Sequence, residues 1–192
     1  KAGLLSTVKL LVDEIEYKAT NTTPDSLTIN KYLSEMNAVG VEFCFMEVSS
    51  HGIHQHRTEG LHFEGGIFTN LSHDHLDYHK TFAEYRDVKK KFFDELSEKS
   101  FALSNVDDKN GLVMLQNTKA KKHTYALKQY ADYKAQILEN QFGGLLLKVN
   151  DSEVWTRLIG NFNAYNVLAI YANAELLGIE KVEIWRLISD LE

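Results

Sequence analysis

Seven of the eight histidines fall between His51 and His79. Two runs in or beside this window carry side chains suited to metal or phosphate chemistry. The first is Glu47-Val48-Ser49-Ser50-His51, followed by Gln55-His56-Arg57. A carboxylate that closes an apolar strand can hold Mg²⁺ beside nucleotide phosphates. The same glutamate can equally be solvated, or cap the next helix. The second run, residues 69–79, packs three histidines and two aspartates into its last seven positions. That density suits a metal or a phosphate; the plainer reading is a histidine-rich polar loop.

Lys89 adds a third element. Its spacing places it with Tyr85, Phe92 and Leu96, on or beside the buried stripe of a helix, while Lys90 and Lys91 point elsewhere and can be solvated. An inward lysine is costly unless paired or neutral. A neutral amine can take up CO₂ as a carbamate, turning a cation into a carboxylate-like ligand; otherwise the side chain snorkels to the surface. Asn21-Thr22-Thr23 offers three hydrogen-bonding side chains before Pro24, the only proline. Gly160-Asn161-Phe162-Asn163-Ala164-Tyr165-Asn166 opens a helix with three amides, which can cap it or read a base such as adenine.

The elements that position these groups alternate. Residues 3–12 read as a strand, a turn at Asp13-Glu14 and a second strand. Residues 27–39 read as a helix, and 41–48 and 66–71 as buried strands. Thr81 with Glu84 three residues on is a helix start signal, heading an apolar stripe of Phe82, Tyr85, Val88, Phe92 and Leu96. Residues 101–106 and 124–127 read as strands around a short helix at 109–116. The 131–158 stretch reads as an antiparallel hairpin region, followed by helices from 162 and 179. The expected fold class is α/β, a mainly parallel sheet flanked by helices with a small antiparallel appendage. Ligands of such sheets bind beyond the carboxyl ends of the strands, where both runs fall.

The length suits one domain with a real core. A net charge of −6 argues against a general nucleic-acid surface. A single cysteine, Cys44, excludes an internal disulfide. No apolar run approaches the roughly 18 residues that span a bilayer.

Taken together, Asn21-Thr22-Thr23, the 47–51 run, Gln55-His56-Arg57, the 69–79 run, Tyr85-x-x-x-Lys89 and Gly160-x-x-Asn163-x-x-Asn166 resemble the MurE-type Mur ligases, in order and in spacing, over essentially the whole chain. The resemblance implies the central, P-loop NTPase-like domain of a cytoplasmic, monomeric enzyme. Its partners would be ATP, UDP-N-acetylmuramoyl-L-alanyl-D-glutamate and a diamino acid, either meso-diaminopimelate or L-lysine. The carboxylate would be activated as an acyl phosphate before the amine attacks. Residue by residue, it implies Glu47 and His75 as Mg²⁺ ligands, with His75 also catalytic. Lys89 would carry the CO₂-derived carbamate that helps place a second Mg²⁺. Asn21, Thr22, Thr23, Ser49, Gln55 and Arg57 would grip the UDP-muramoyl peptide, and Asn163 would read the adenine of ATP. His73 departs from the pattern, since many relatives carry arginine there.

A glycine-rich Gly-x-x-Gly-Lys-Thr loop occurs nowhere in the 192 residues. By the resemblance, the chain is therefore expected to be a central domain truncated at its N-terminus, without the flanking uridine-binding and amino-acid-binding domains, and unable to complete turnover alone. Two other readings stay open. His73-x-His75-x-Asp77-x-His79 approaches the His-x-His-x-Asp-His pattern of metallo-β-lactamase-like hydrolases, with the last spacing off by one because Tyr78 intervenes. A non-catalytic binding domain is the other.

Overall fold

The computed structural model describes residues 1–72 and 78–191. The described residues form two compact units, one of residues 1–61 and 78–91, the other of 62–72 and 92–191.

The first unit holds β1 (Ala2–Leu5), β2 (Lys9–Val12), β3 (Ile15–Lys18), α1 (Ser26–Ala38), β4 (Phe43–Met46), α2 (Ser50–His54) and most of α3 (Phe82–Asp94). Its sheet runs β3-β2-β1-β4. The first three strands are antiparallel, and β1 pairs parallel with β4, bringing Leu5 opposite Met46. The expected first strand is two: Ser6 and Thr7 break the apolar run, and the Ser6 hydroxyl donates to Lys9 O at 2.9 Å to close the turn. Asp13 takes the left-handed conformation, φ 55°, at the expected second turn. Leu5, Leu10, Val12, Ile29 and Met36 form the core. α1 starts where Asp25 accepts from the Leu27 and Thr28 amides, both at 3.0 Å.

β4 corrects one expectation. Its apolar run reads as buried, yet Phe43 and Phe45 are exposed. β4 pairs with β1 on one side and closes its sheet on the other. Apolar composition does not tell an edge strand from a central one.

α3 corrects another. Thr81 caps it, accepting from Glu84 N at 3.1 Å, while the Glu84 carboxylate accepts from Lys80 N. Its buried positions, however, are Tyr85, Lys90 and Phe93, with Leu96 buried just past its end, so the inward face is centred about one residue later than the stripe read from sequence. Lys90 is thus more buried than Lys89, the reverse of the expectation.

The second unit holds β5 (Gly65–Phe68), β6 (Phe101–Asn105), α4 (Gly111–Met114), β7 (Lys121–Ala126), β8 (Tyr133–Gln141), β9 (Gly144–Val149), β10 (Ser152–Thr156), α5 (Asn161–Leu176) and α6 (Lys181–Ser189). Strand order is β10-β9-β8-β7-β6-β5. β5 to β8 are parallel and β8 to β10 antiparallel. The fold class is therefore the expected one. β6 is buried along its whole length. α5 buries Ala164, Val167, Leu168, Tyr171 and Ala172 in the cluster that holds Leu103, Tyr125, Leu145 and Leu147.

Asp107, just past β6, pins this unit's loops. Its carboxylate accepts from the Leu127, Lys128 and Gln129 amides at 2.8–2.9 Å and from the Tyr165 hydroxyl at 2.9 Å. Burial alone would raise its pKa, but the three amides and Tyr165 together hold it below the ordinary value. Burial, aided by Asp107, pushes the Tyr165 hydroxyl up to about 12, so it remains a donor. A lowered carboxylate pKa stabilises the fold above the unfolded value, and that stability is lost as pH falls through the folded value. Asp107→Ala is expected to cost about 2–4 kcal/mol at neutral pH, from losing several hydrogen bonds to a charged group. Urea unfolding should show this deficit shrinking on acidification; a deficit equal at both pH values would contradict the assignment.

Candidate functional site

The chemistry-bearing side chains of the first unit gather beyond the carboxyl end of β4. The strand ends at Met46, and Glu47 follows. Glu47 Oε2 accepts from the Thr7 amide at 2.9 Å and also from the Thr7 hydroxyl, which in turn lies 3.1 Å from Thr22 Oγ1. Thr7 is a residue the sequence reading missed. The polar Ser6-Thr7 pair inside an apolar stretch is the signal that marks it.

Ser49 is the N-cap of α2, its hydroxyl accepting from Gly52 N at 3.1 Å. Thr23 is buried. Its hydroxyl donates to Glu47 O and accepts from Ser49 N, both at 2.9 Å, and lies 3.2 Å from Ser49 Oγ. A Cβ on Gly52 would sit 2.8 Å from Thr23 side-chain carbons, so only glycine lets α2 approach this loop so closely. Thr23 and Ser49 therefore shape the site from within. Asn21 is exposed and Thr22 half-buried.

α2 stops at Gln55, and the next residue, His56, turns left-handed at φ 56°. The amides of His56 and Arg57 return to Ile53 O and Gly52 O at 3.0 and 2.9 Å, a helix-ending turn more often made by glycine. The reversal brings the side chains of Gln55 and Arg57 together. Arg57 Nε and Nη2 donate to Gln55 Oε1 at 3.0 and 2.6 Å, and Nη1 donates to Thr23 O at 2.6 Å. Three of five guanidinium donors are thereby used, all on neutral oxygens, and two remain. No carboxylate among the described residues pairs with Arg57. A positive charge held in place by neutral groups is ready for an anion.

Lys89 lies in the same unit. Its Nζ donates to Val48 O at 3.3 Å. Burial lowers its pKa, partly opposed by the charge of Glu47. The amine is thus biased toward its neutral, nucleophilic form, whatever the orientation of the rest of its helix face.

Of the remaining expected site residues, Asn163 belongs to the second unit. Its amide donates to Ile159 O at 2.8 Å and accepts from Asn166 at 3.2 Å, an arrangement that braces the start of α5. His73, His75 and Asp77 lie outside the described residues. His79 is wholly buried, its Nε2 2.9 Å from Ser50 Oγ and its ring stacked on Tyr85. Among the described residues, no three His, Cys, Asp or Glu side chains gather as a metal site would require. One carboxylate flanked by hydroxyls is nonetheless suitable for Mg²⁺, which takes one or two carboxylates and completes its shell with water and phosphate oxygens.

Residues 1–174 match the model of the Mur ligase middle domain. The chain is 53% identical, over its full length, to the UDP-N-acetylmuramoyl-L-alanyl-D-glutamate--2,6-diaminopimelate ligase of Cytophaga hutchinsonii. It is 37% identical to the protein of the same name from Geobacillus kaustophilus. It covers 40% and 41% of these two relatives, so the chain spans about two fifths of their length. Among solved structures, a UDP-N-acetylmuramoyl-L-alanyl-D-glutamate--2,6-diaminopimelate ligase superposes on all of the chain and 40% of itself, with a TM-score of 0.87 and 28% identity. MurF from Acinetobacter baumannii shares the fold, with a TM-score of 0.78 at 15% identity over 98% of the chain and 40% of its own. The chain belongs to the Mur ligase family, as its middle domain.

Proposed function

We propose that this domain serves an ATP-dependent ligase that joins 2,6-diaminopimelate to the glutamate carboxylate of UDP-N-acetylmuramoyl-L-alanyl-D-glutamate, for peptidoglycan synthesis. The observation that carries the reading is the Arg57 guanidinium, fixed by neutral oxygens with two donors to spare, in the same unit as Glu47 and Lys89. A carboxylate is a poor electrophile until one oxygen becomes a leaving group. In the proposed sequence that oxygen attacks the γ-phosphorus of ATP, the bond to the β-phosphate oxygen breaks, and ADP leaves. The amine then adds to the acyl carbon and loses a proton, and phosphate departs with the oxygen.

Within this chain, Arg57 binds an anionic group of the nucleotide-peptide, beside Gln55 and the exposed Asn21 and Thr22. Thr23 and Ser49 hold the loops that frame it, and Asn163 contributes to the adenine subsite. Glu47 supplies a carboxylate oxygen for Mg²⁺, with His75 as a further ligand. Bound Mg²⁺ supplies charge neutralisation between the phosphate oxygens and the substrate carboxylate. Lys89 Nζ adds to CO₂, forming a C–N bond and releasing a proton, so that the resulting carbamate presents anionic oxygens to the second metal. The diaminopimelate assignment is supported by the names of relatives at about 50% identity. We further propose a cytoplasmic monomer; among the described residues no helix is long and apolar enough to cross a membrane.

The test is ADP release by the full-length ligase. Release should require the muramoyl dipeptide, diaminopimelate and Mg²⁺ together. Equal release with the dipeptide omitted, or a preference for lysine, would refute the substrate assignment.

A further inference from the structure

Tyr78 has no part in the reading above, yet it ends the hydrogen-bond chain that runs to Arg57. Its hydroxyl oxygen lies 3.2 Å from Gln55 Nε2 and 2.9 Å from His54 Nδ1. Its ring lies against His51, with centroids 3.9 Å apart, and meets His54 edge-on at 5.5 Å. The donors and acceptors from Arg57 to Tyr78 are determined from one end. Arg57 can only donate, so the Gln55 atom between its Nε and Nη2 must be the carbonyl oxygen. The Gln55 amide nitrogen is then the one directed at Tyr78, whose oxygen accepts from it. The tautomer of His54 sets the donor in its link to Tyr78, and in either tautomer the Tyr78 oxygen keeps a lone pair for Gln55.

Gln55 is itself exposed. Without a partner for its nitrogen, it is free to rotate into water or to present N–H groups to the guanidinium. Either motion releases two of the three bonds that orient Arg57. We propose that the Tyr78 hydroxyl is a positioning residue for anion binding: it holds the Gln55 amide in the one orientation that fixes the Arg57 fork. The inference rests on the proposed role of Arg57 in gripping the nucleotide-peptide.

The experiment compares Tyr78→Phe with wild type in the full-length ligase, since phenylalanine keeps the ring contacts and removes only the hydroxyl. The expected result is a KM for the muramoyl dipeptide raised about five- to tenfold with kcat changed less than about twofold, the pattern of lost uniform binding. In a Gln55→Glu background the effect should vanish, because either oxygen of a carboxylate can face Arg57 and no amide orientation remains to be held. An unchanged KM, a fall in kcat instead, or the same KM increase in the Gln55→Glu background would each overturn the proposal. A second measurement does not depend on substrate. With ¹⁵N-arginine labelling, the Arg57 Nε–H resonance is identified by its loss in Arg57→Lys, and Tyr78→Phe should move it to the position of solvated arginine. No movement overturns the positioning role. Movement in an enzyme with no activity on the muramoyl dipeptide would retain that role and remove the substrate assignment.

Discussion

Lys89→Ala in the full-length ligase should lower kcat about a thousandfold, equivalent to about 4 kcal/mol of lost transition-state stabilisation. Added formate or acetate should restore part of it. Lys89 is half-buried, its Nζ rests 3.3 Å from a carbonyl oxygen, and burial biases it toward the neutral amine. Glu47 opposes that bias. A lysine that remained a cation would be an opposing charge to Glu47, and its removal would cost little that a carboxylate could return. A carbamate instead adds negative charge where metal and phosphate meet, and a small carboxylate can occupy the space left by alanine. Rescue by formate therefore separates the two cases. Activity that falls without any rescue would leave Lys89 important but remove the carbamate. Wild-type rates in the alanine variant would remove both.

The second large effect is on binding. Arg57→Ala should raise KM for the muramoyl dipeptide about a hundredfold, about 2–3 kcal/mol, from the loss of charge-assisted hydrogen bonds. Arg57→Lys should recover only a small part, because an ammonium cannot bridge Gln55 Oε1 and Thr23 O while also offering two donors outward. Changes in kcat should be minor by comparison. The variant also loses the 2.6 Å bond to Thr23 O, so thermal unfolding must accompany the kinetics. If the melting temperature fell substantially while KM stayed constant, Arg57 would be a structural brace rather than an anion ligand.

Much of this site was legible in the sequence for local reasons. A carboxylate closing an apolar strand and a Thr81-Glu84 start signal each follow from interactions within a few residues. So do the alternating strand and helix patterns behind the α/β class. The amino-acid sequence by itself thus determined the fold class and most of the strand and helix order, while the short α2 and the break between β1 and β2 emerged only in the structure. Tertiary structure decided what depends on distant partners. Thr7 meets Glu47 across 40 positions, and Tyr78 meets Gln55 across 23. The exposure of Phe43 and Phe45 depends on which strands β4 pairs with, which composition does not encode. The burial of Lys90 beside a half-buried Lys89 depends on the rotation of α3. Thr23, a substrate contact by the resemblance, is buried because α2 closes on it at Gly52. Periodicity specifies that a helix has an inward face, but only packing selects which residue lies at its centre.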